Sequence, residues 1–353
     1  MKKSLFFLVF LLPLICNSQT FNGPESVEYD SLYGRWLVGQ NGSGQVLQLN
    51  PANNALTLFC SGMSSGPYGI EILDSVLYCC DGSFIKGYHL ATGAQVFNLN
   101  LNASFLNGIT SDGISNLFAT DFSAKRIYRI NTISGTFNLM TTTVKTPNGI
   151  YYDGAQNRCV FVTWGSAASF QAMSLADSTI SNLYTSTYSS FDGLTRDLQG
   201  NWYASSWGNS SLIRFDSSFT GTPTIVKTGL SSPADLDLNA AGDSIGIPNS
   251  GNANNVVFYP VPSVNTGIQD DQPEEKVLVY PNPASNIIFI ELKDPISNGQ
   301  LNIIDANGKL VLSRKINGQK ISFHKNTLSN GKYFMSITDV SGKILLSRFI
   351  IFE

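Results

Sequence analysis

The chain has 353 residues, too many for one ordinary core, so two domains are expected. Only 13% of residues are charged, aromatic residues are plentiful, and Ala/Glu/Lys/Leu runs at helical spacing are missing, which excludes a coiled coil or a disordered chain. A net charge of −3, with neither a basic stripe nor a Lys/Arg run, argues against nucleic-acid binding.

Residues 1–18 read as a signal peptide. Lys2 and Lys3 give a positive start, Leu5 to Ile15 an apolar core, and Cys16 and Ser18 small residues before cleavage at Gln19. A lipid anchor on Cys16 is the alternative, and bulky Ile15 speaks against it. No later stretch reaches about 18 apolar residues, so no transmembrane segment is expected in the mature chain.

Residues 19–263 carry a repeat. Its clearest copy is Thr146-Pro147-Asn148-Gly149-Ile150-Tyr151-Tyr152-Asp153, a turn signal followed by an alternating apolar run. Related stretches surround Ser26, Gly69, Gly108, Gly193 and Asp235. Counting from Ser26 through Gly149 to Asp235, successive spacings are 43, 39, 41, 44 and 42 residues. A fixed period near 40 residues, each unit rich in short strands, predicts a six-bladed β-propeller. The third unit divides into strands at Gly108–Thr110, Leu117–Thr120, Arg126–Ile130 and Thr136–Leu139. The fifth gives Gly193–Thr195, Trp202–Ser206, Leu212–Phe215 and Thr224–Val226. Second-strand aromatics such as Tyr78, Phe118, Phe161 and Tyr203 are expected between blades. The sixth unit has strands Leu236–Leu238, Ser244–Ile247 and Val256–Pro260 and no fourth. A propeller closes by pairing its last blade with the other terminus, and Gln19–Asn22 is the only spare segment for that.

Residues 264–276 hold four acids and almost nothing apolar, which predicts a linker. Residues 277–353 carry nine Lys/Arg against five Asp/Glu. Alternating strands separated by Ala306-Asn307-Gly308, Ile316-Asn317-Gly318 and Val340-Ser341-Gly342 predict a small antiparallel β-sandwich. Within the mature chain Cys60, Cys79, Cys80 and Cys159 suit either packing inside strands or a bridge from Cys60 to Cys79 or Cys80.

The last segment resembles the sorting domain of proteins exported by the type IX secretion system of Bacteroidetes. The matching residues are Val279-Tyr280-Pro281-Asn282-Pro283-Ala284, Ile303-Ile304-Asp305-Ala306-Asn307-Gly308-Lys309, Leu328-Ser329-Asn330-Gly331-Lys332-Tyr333-Phe334 and Ser347-Arg348-Phe349. The resemblance implies passage through the periplasm and across the outer membrane by the type IX machinery, to the cell surface or the medium.

The repeat region resembles the senescence marker protein and gluconolactonase family of six-bladed propellers. In that family, acidic or amide side chains at the start of innermost strands converge on Ca²⁺ or another divalent ion. The residues before the aligned positions here are Glu25, Tyr68, Asn107, Asn148, Asp192 and Ala234. Glu25, Asn107, Asn148 and Asp192 are therefore the expected metal ligands. Strand starts in a closed ring face one axis, and two carboxylates with two amides make a hard-oxygen site suited to Ca²⁺. Asn and Asp also favour turns before Gly, which explains three of the four without a metal. It does not explain Glu25.

Asp192 is the candidate general base for a lactone or related ester. Asp121, Trp164, Trp207, Tyr68 and Phe105 are expected around a small-molecule or carbohydrate ligand at the mouth. The Arg that gluconolactonase-like members carry before the blade-three Asn is missing, with Phe105 and Leu106 in its place. His89 and His324 are the only histidines, and no Ser-His-Asp arrangement can be built from them. A binding propeller with a structural ion is the alternative to a hydrolase.

Overall fold

The computed structural model describes residues 19–262, 278–281, 284–305, 309–325, 328–339 and 344–352. The expected signal peptide, the expected linker and the motif pieces Asn282-Pro283, Ala306-Asn307-Gly308 and Val340-Ser341-Gly342 lie outside these residues. The chain parts into two compact units between Val264 and Asn265.

Six antiparallel sheets follow one another along the first unit. Their first strands are Pro24–Asp30, Ile70–Leu73, Leu106–Ser111, Pro147–Asp153, Phe191–Arg196 and Asp237–Leu238. Their second strands are Arg35–Gln40, Val76–Asp81, Asn116–Asp121, Arg158–Thr163, Trp202–Ser206 and Ser244–Asn249. Each of the first five sheets has four strands in sequence order, and the sixth has three. This is the predicted six-bladed propeller, all β among the described residues apart from a short 3₁₀ turn at Gly154–Gln156.

The second strands are buried on both faces because each blade is sandwiched between two others. Val76-Leu77-Tyr78-Cys79-Cys80 and Cys159-Val160-Phe161-Val162 accordingly read as unbroken apolar runs. Six core clusters fill the six gaps between neighbouring blades. Tyr78, Phe118, Phe161 and Tyr203 all lie in them. The largest aromatic gap lies between blades four and five, where Phe170, Phe191, Trp202 and Phe215 pack together.

The repeating glycine has a steric cause. A Cβ on Gly108 would stand 2.5 Å from Asn148 O, and one on Gly149 would stand 2.5 Å from Asp192 O. Gly69 meets Asn107 O in the same way, at 2.2 Å. Blades two to five thus each rest this glycine against the backbone of the next blade. The sequence suggests a turn at this motif. The structure instead puts Asn148 and Gly149 inside the strand Pro147–Asp153.

Side-chain oxygens also clasp neighbouring first strands near their far ends. Ile72 N donates to Glu28 Oε1 at 3.2 Å, and Ser111 N to Glu71 Oε1 at 3.0 Å. Tyr152 N donates to Thr110 Oγ1 at 3.1 Å, and Tyr29 N to Asp237 Oδ2 at 2.9 Å. The last of these joins blade six to blade one. Asp235 N to Glu25 O at 3.0 Å and the Trp36–Phe258 ring contact at 5.3 Å complete the seam.

Closure does not use a terminal strand. Residues 19–22 form none, and the sixth sheet keeps three strands. Instead Phe21 packs under Trp36, and its carbonyl accepts from Asn254 Nδ2 at 2.6 Å. Packing and side-chain hydrogen bonds replace the backbone ladder that a terminal strand would form.

The second unit is one five-stranded antiparallel sheet. Strands expected as separate pieces merge into Ile287–Asp305 and Leu310–His324. No hairpin turn forms at Ile316-Asn317-Gly318. Gly318 takes φ +97° and pairs with Ile296, so a bulge absorbs the glycine that the sequence offers for a turn. Register shifts between Glu291 and Gly299 break this long strand into two halves. Ile288 and Ile290 from one half share a single core with Leu301 and Ile303 from the other.

Candidate functional site

The four expected ligand positions share a backbone feature that their side chains do not reveal. Glu25 sits at a register shift between Pro24 and Ser26. Asn148 and Gly149 lie in a shift between Pro147 and Ile150, and Asp192 and Gly193 in one between Phe191 and Leu194. Asn107 and Gly108 lie between Leu106 and Ile109, where the blade-three ladder also slips. These are β-bulges, which re-aim side chains away from the regular alternation of a strand. The freed backbone is repaired locally. Gly108 N donates to Thr120 Oγ1 at 2.9 Å, and Gly193 N to Ser205 Oγ at 2.8 Å. Both hydroxyls then donate onward to the next blade, to Asn148 O and Ala234 O.

All four side chains are buried: Glu25, Asn107, Asn148 and Asp192 are at most 6% exposed. Glu25 accepts from Asn41 Nδ2 at 3.1 Å and from the Ser250 hydroxyl. Burial pushes its carboxyl from 4.5 up to about 7, and Ser250 offsets part of that rise. Burial also holds Asp192 well above the usual carboxylate range. The nearby charges of Glu25 and Asp235 add to this, while the Asn148 amide and the Trp207 indole pull the other way. Asn148 Nδ2 donates to Phe191 O at 3.3 Å, and its buried Oδ1 has no partner. The structure thus brings Glu25, Asn148 and Asp192 into mutual influence, with Asn107 buried one blade along.

Among the described residues no three His, Cys, Asp or Glu side chains converge as a metal cage. Any cation here would lean on the amides of Asn107 and Asn148 as well as on Glu25 and Asp192. The donor set passes that test. It consists of hard oxygens, makes no ion pair with a basic side chain among the described residues, and leaves Asn148 Oδ1 unsatisfied.

Tyr68 and Phe105 meet edge to face at 4.5 Å. Burial raises the Tyr68 phenol, and the nearby Glu25 carboxylate raises it further. Trp164 and Trp207 meet at 5.3 Å. Phe122, absent from the sequence-based set, bridges the two pairs at 5.7 Å from Phe105 and 5.8 Å from Trp164. Its place was legible in register: Phe122, Trp164 and Trp207 each follow the last residue of a second strand.

Asp121 does not face a ligand. It is fully buried and accepts Ser104 N, Phe105 N and Ala124 N at 2.7, 3.0 and 3.0 Å. A carboxylate at a strand end is drawn to free loop N–H groups, and here it fixes the loop that carries Phe105. Asp81 serves similarly, accepting Ser65 N at 2.6 Å. The four cysteines are free. Adjacent strand residues face opposite sides, so Cys79 shares a cluster with Cys60 while Cys80 packs toward blade three. His89 Nδ1 accepts Ala91 N within an outer turn.

Sequence reasoning set Asp235 at the glycine position of blade six and gave it no part in the site. It also missed the acidic far end of the channel. A cavity of about 250 Å³ there is lined by Glu28, Glu71, Asp235 and Asp237 together with Thr110 and Tyr151. Burial, first among the causes, raises Glu71 to about 8 and Asp237 to about 6.

Fold and sequence together define an exported β-propeller with a sorting domain. Residues 278–352 match the family profile of the secretion system C-terminal sorting domain, so the chain is exported by the type IX route to the cell surface or beyond it. No helix among the described residues is long and apolar enough to cross a membrane. No curated protein matches the chain. Among solved structures, a gluconolactonase from Xanthomonas campestris is similar at 14% identity and TM-score 0.57, covering 69% of this chain and 88% of that one. Virginiamycin B lyase from Staphylococcus aureus is similar at 15% identity and TM-score 0.50, covering 77% and 92%. A chain of the nidogen/laminin complex is similar at 17% identity and TM-score 0.54, covering 62% and 86%. At these identities the likeness shows the fold.

Proposed function

We propose that the four bulged strand starts form a divalent-cation site of Ca²⁺ type, and that this mouth hydrolyses a lactone or related ester. The observation that carries this is the unpartnered, buried Asn148 Oδ1 beside Asp192. Glu25, Asn107, Asn148 and Asp192 would hold the ion. A bound cation of this kind supplies Lewis acidity toward a carbonyl oxygen and a water of lowered pKa. Asp192, held ionised by the cation it would ligate, takes the proton of the attacking water. Asn41 and Ser250 fix Glu25, while Tyr68, Phe105, Trp164 and Trp207 receive the apolar face of the ligand. The structural likeness to a gluconolactonase supplies the reaction class to test.

A second reading is a carbohydrate-binding propeller in which the ion is structural. It is favoured by Phe105 and Leu106 standing where gluconolactonase-like members carry Arg.

Adding Ca²⁺ to chelator-treated protein should raise its melting temperature. At a hundredfold excess over Kd the gain is about 2.7 kcal/mol, roughly 5–10 °C for a unit of this size. Asp192→Ala should abolish the rise. Asp121→Ala should lower the starting temperature and keep the rise, because Asp121 holds a loop. An unchanged melting curve on adding Ca²⁺ sinks the site. A normal rise without acid release from glucono-δ-lactone leaves the binding reading.

A further inference from the structure

We propose that the mouth holds a neutral oligosaccharide chain along a crescent of five aromatic rings. This rests on reading the same mouth as the ligand-binding end. Tyr68, Phe105, Phe122, Trp164 and Trp207 come from four successive blades and form one unbroken series. Their centroids step by 4.5, 5.7, 5.8 and 5.3 Å, with interplanar angles of 87°, 74°, 65° and 70°. Where rings meet edge to face, each contact covers one face of one ring at most and leaves the opposite face free. All five are only partly buried. Each step is about the width of one pyranose ring, so the series is longer than a single sugar.

The rings are set in place before any ligand arrives. Phe122 N donates to Phe105 O at 2.8 Å, and Phe105 N to Asp121 Oδ1 at 3.0 Å. Trp164 N donates to Thr146 O at 2.9 Å, and Trp207 N to Ser190 O at 3.0 Å. Rigid aromatic side chains give contact area at low entropic cost.

The neighbouring arc, from blades six and one, is polar instead. It offers Ser250, Asn41 and Glu25, which accept or exchange hydrogen bonds as sugar hydroxyls do. At the end of the crescent Trp207 turns its buried indole Nε1 toward the Asp192 carboxyl. A ligand with flat apolar faces and a hydroxylated edge satisfies both arcs. Neither arc includes a Lys or Arg side chain to pair with an acidic sugar, which makes the chain a neutral one.

Cellotriose, maltotriose and xylotriose, each with its monosaccharide, should be titrated into the mature protein with tryptophan fluorescence and calorimetry as readouts. At least one trisaccharide should bind about tenfold more tightly than its monosaccharide, the worth of one well-seated aromatic contact. Phe122→Leu and Trp164→Ala should each shrink that ratio toward one, with melting curves confirming that both variants fold. If all three trisaccharides bind no better than their monosaccharides, the crescent is packing and the proposal is overturned, even where glucono-δ-lactone is hydrolysed. A clear chain-length effect without lactone turnover upholds the crescent and removes the hydrolase reading alone.

Discussion

Freed of divalent cations, the propeller should be most stable near pH 4 and lose several kcal/mol by pH 8. Glu25 rises from 4.5 to about 7, Glu71 from 4.5 to about 8 and Asp237 from 3.8 to about 6, in each case first through burial. A group whose folded pKa lies above its unfolded value stabilises the fold fully below the unfolded value. That contribution disappears as pH climbs through the folded value, because the fold must then hold a buried charge. The window therefore runs from about pH 4 to pH 8. The rise in Glu25 alone corresponds to about 3 kcal/mol. These acids influence one another, so their losses do not simply add. Asp216, lowered by hydrogen bonds from Ser218 and Gly221, acts in the opposite direction and only at lower pH. Urea midpoints measured in chelator across this range should fall steadily. Ca²⁺ should restore more stability at pH 8 than at pH 5, since protons compete with the cation for Glu25 and Asp192. Glu25→Gln should flatten part of the slope. A level profile between pH 4.5 and pH 8 would mean that these carboxyls are not buried as described.

Gly149→Ala should cost about 3 kcal/mol or more, the upper range of overpacking penalties. The added methyl would stand 2.5 Å from Asp192 O and 2.9 Å from Gly193 Cα. Both are backbone atoms of the next blade, so no side chain can turn aside. Gly149 has no positive φ, and the cost is one of space. The displaced strand carries Asp192, so the Ca²⁺-dependent rise in melting temperature should shrink as well. Gly113 is the control. It has φ +70° with nothing near a new Cβ, and Gly113→Ala should cost only about 1 kcal/mol of backbone strain. Urea denaturation of the two variants checks the order. Equal losses would show that the first strands can part without penalty.

Some of this was written locally. Each blade is a run of short strands joined to its nearest neighbours in sequence. A period of 39 to 44 residues therefore reveals the number of blades without knowledge of how they meet. The missing fourth strand of blade six was legible for the same reason, and so was the strand-rich sorting unit. Glu25, Asn107, Asn148 and Asp192 could be singled out because they recur at one register, and Trp164 and Trp207 because they follow second strands.

Other features depend on residues from separate blades meeting around an axis. Asp121 ends a second strand as a mouth residue would, yet its carboxylate holds three loop N–H groups. Phe122 shares the register of Trp164 and Trp207, but its bridging of Phe105 and Trp164 exists only once their two blades meet. The ring closes through Asp235, Asp237 and Trp36 without a strand from residues 19–22, because packing across the seam could replace a ladder. The repeat, the strand pattern and the polar residue that opens most first strands are local features of the chain. That those residues sit on bulges, that their carboxyls are buried together and that five aromatic rings join into one rim follows from the closing of the blades. Side chains about 40 residues apart acquire a common electrostatic environment only when the blades close into a ring.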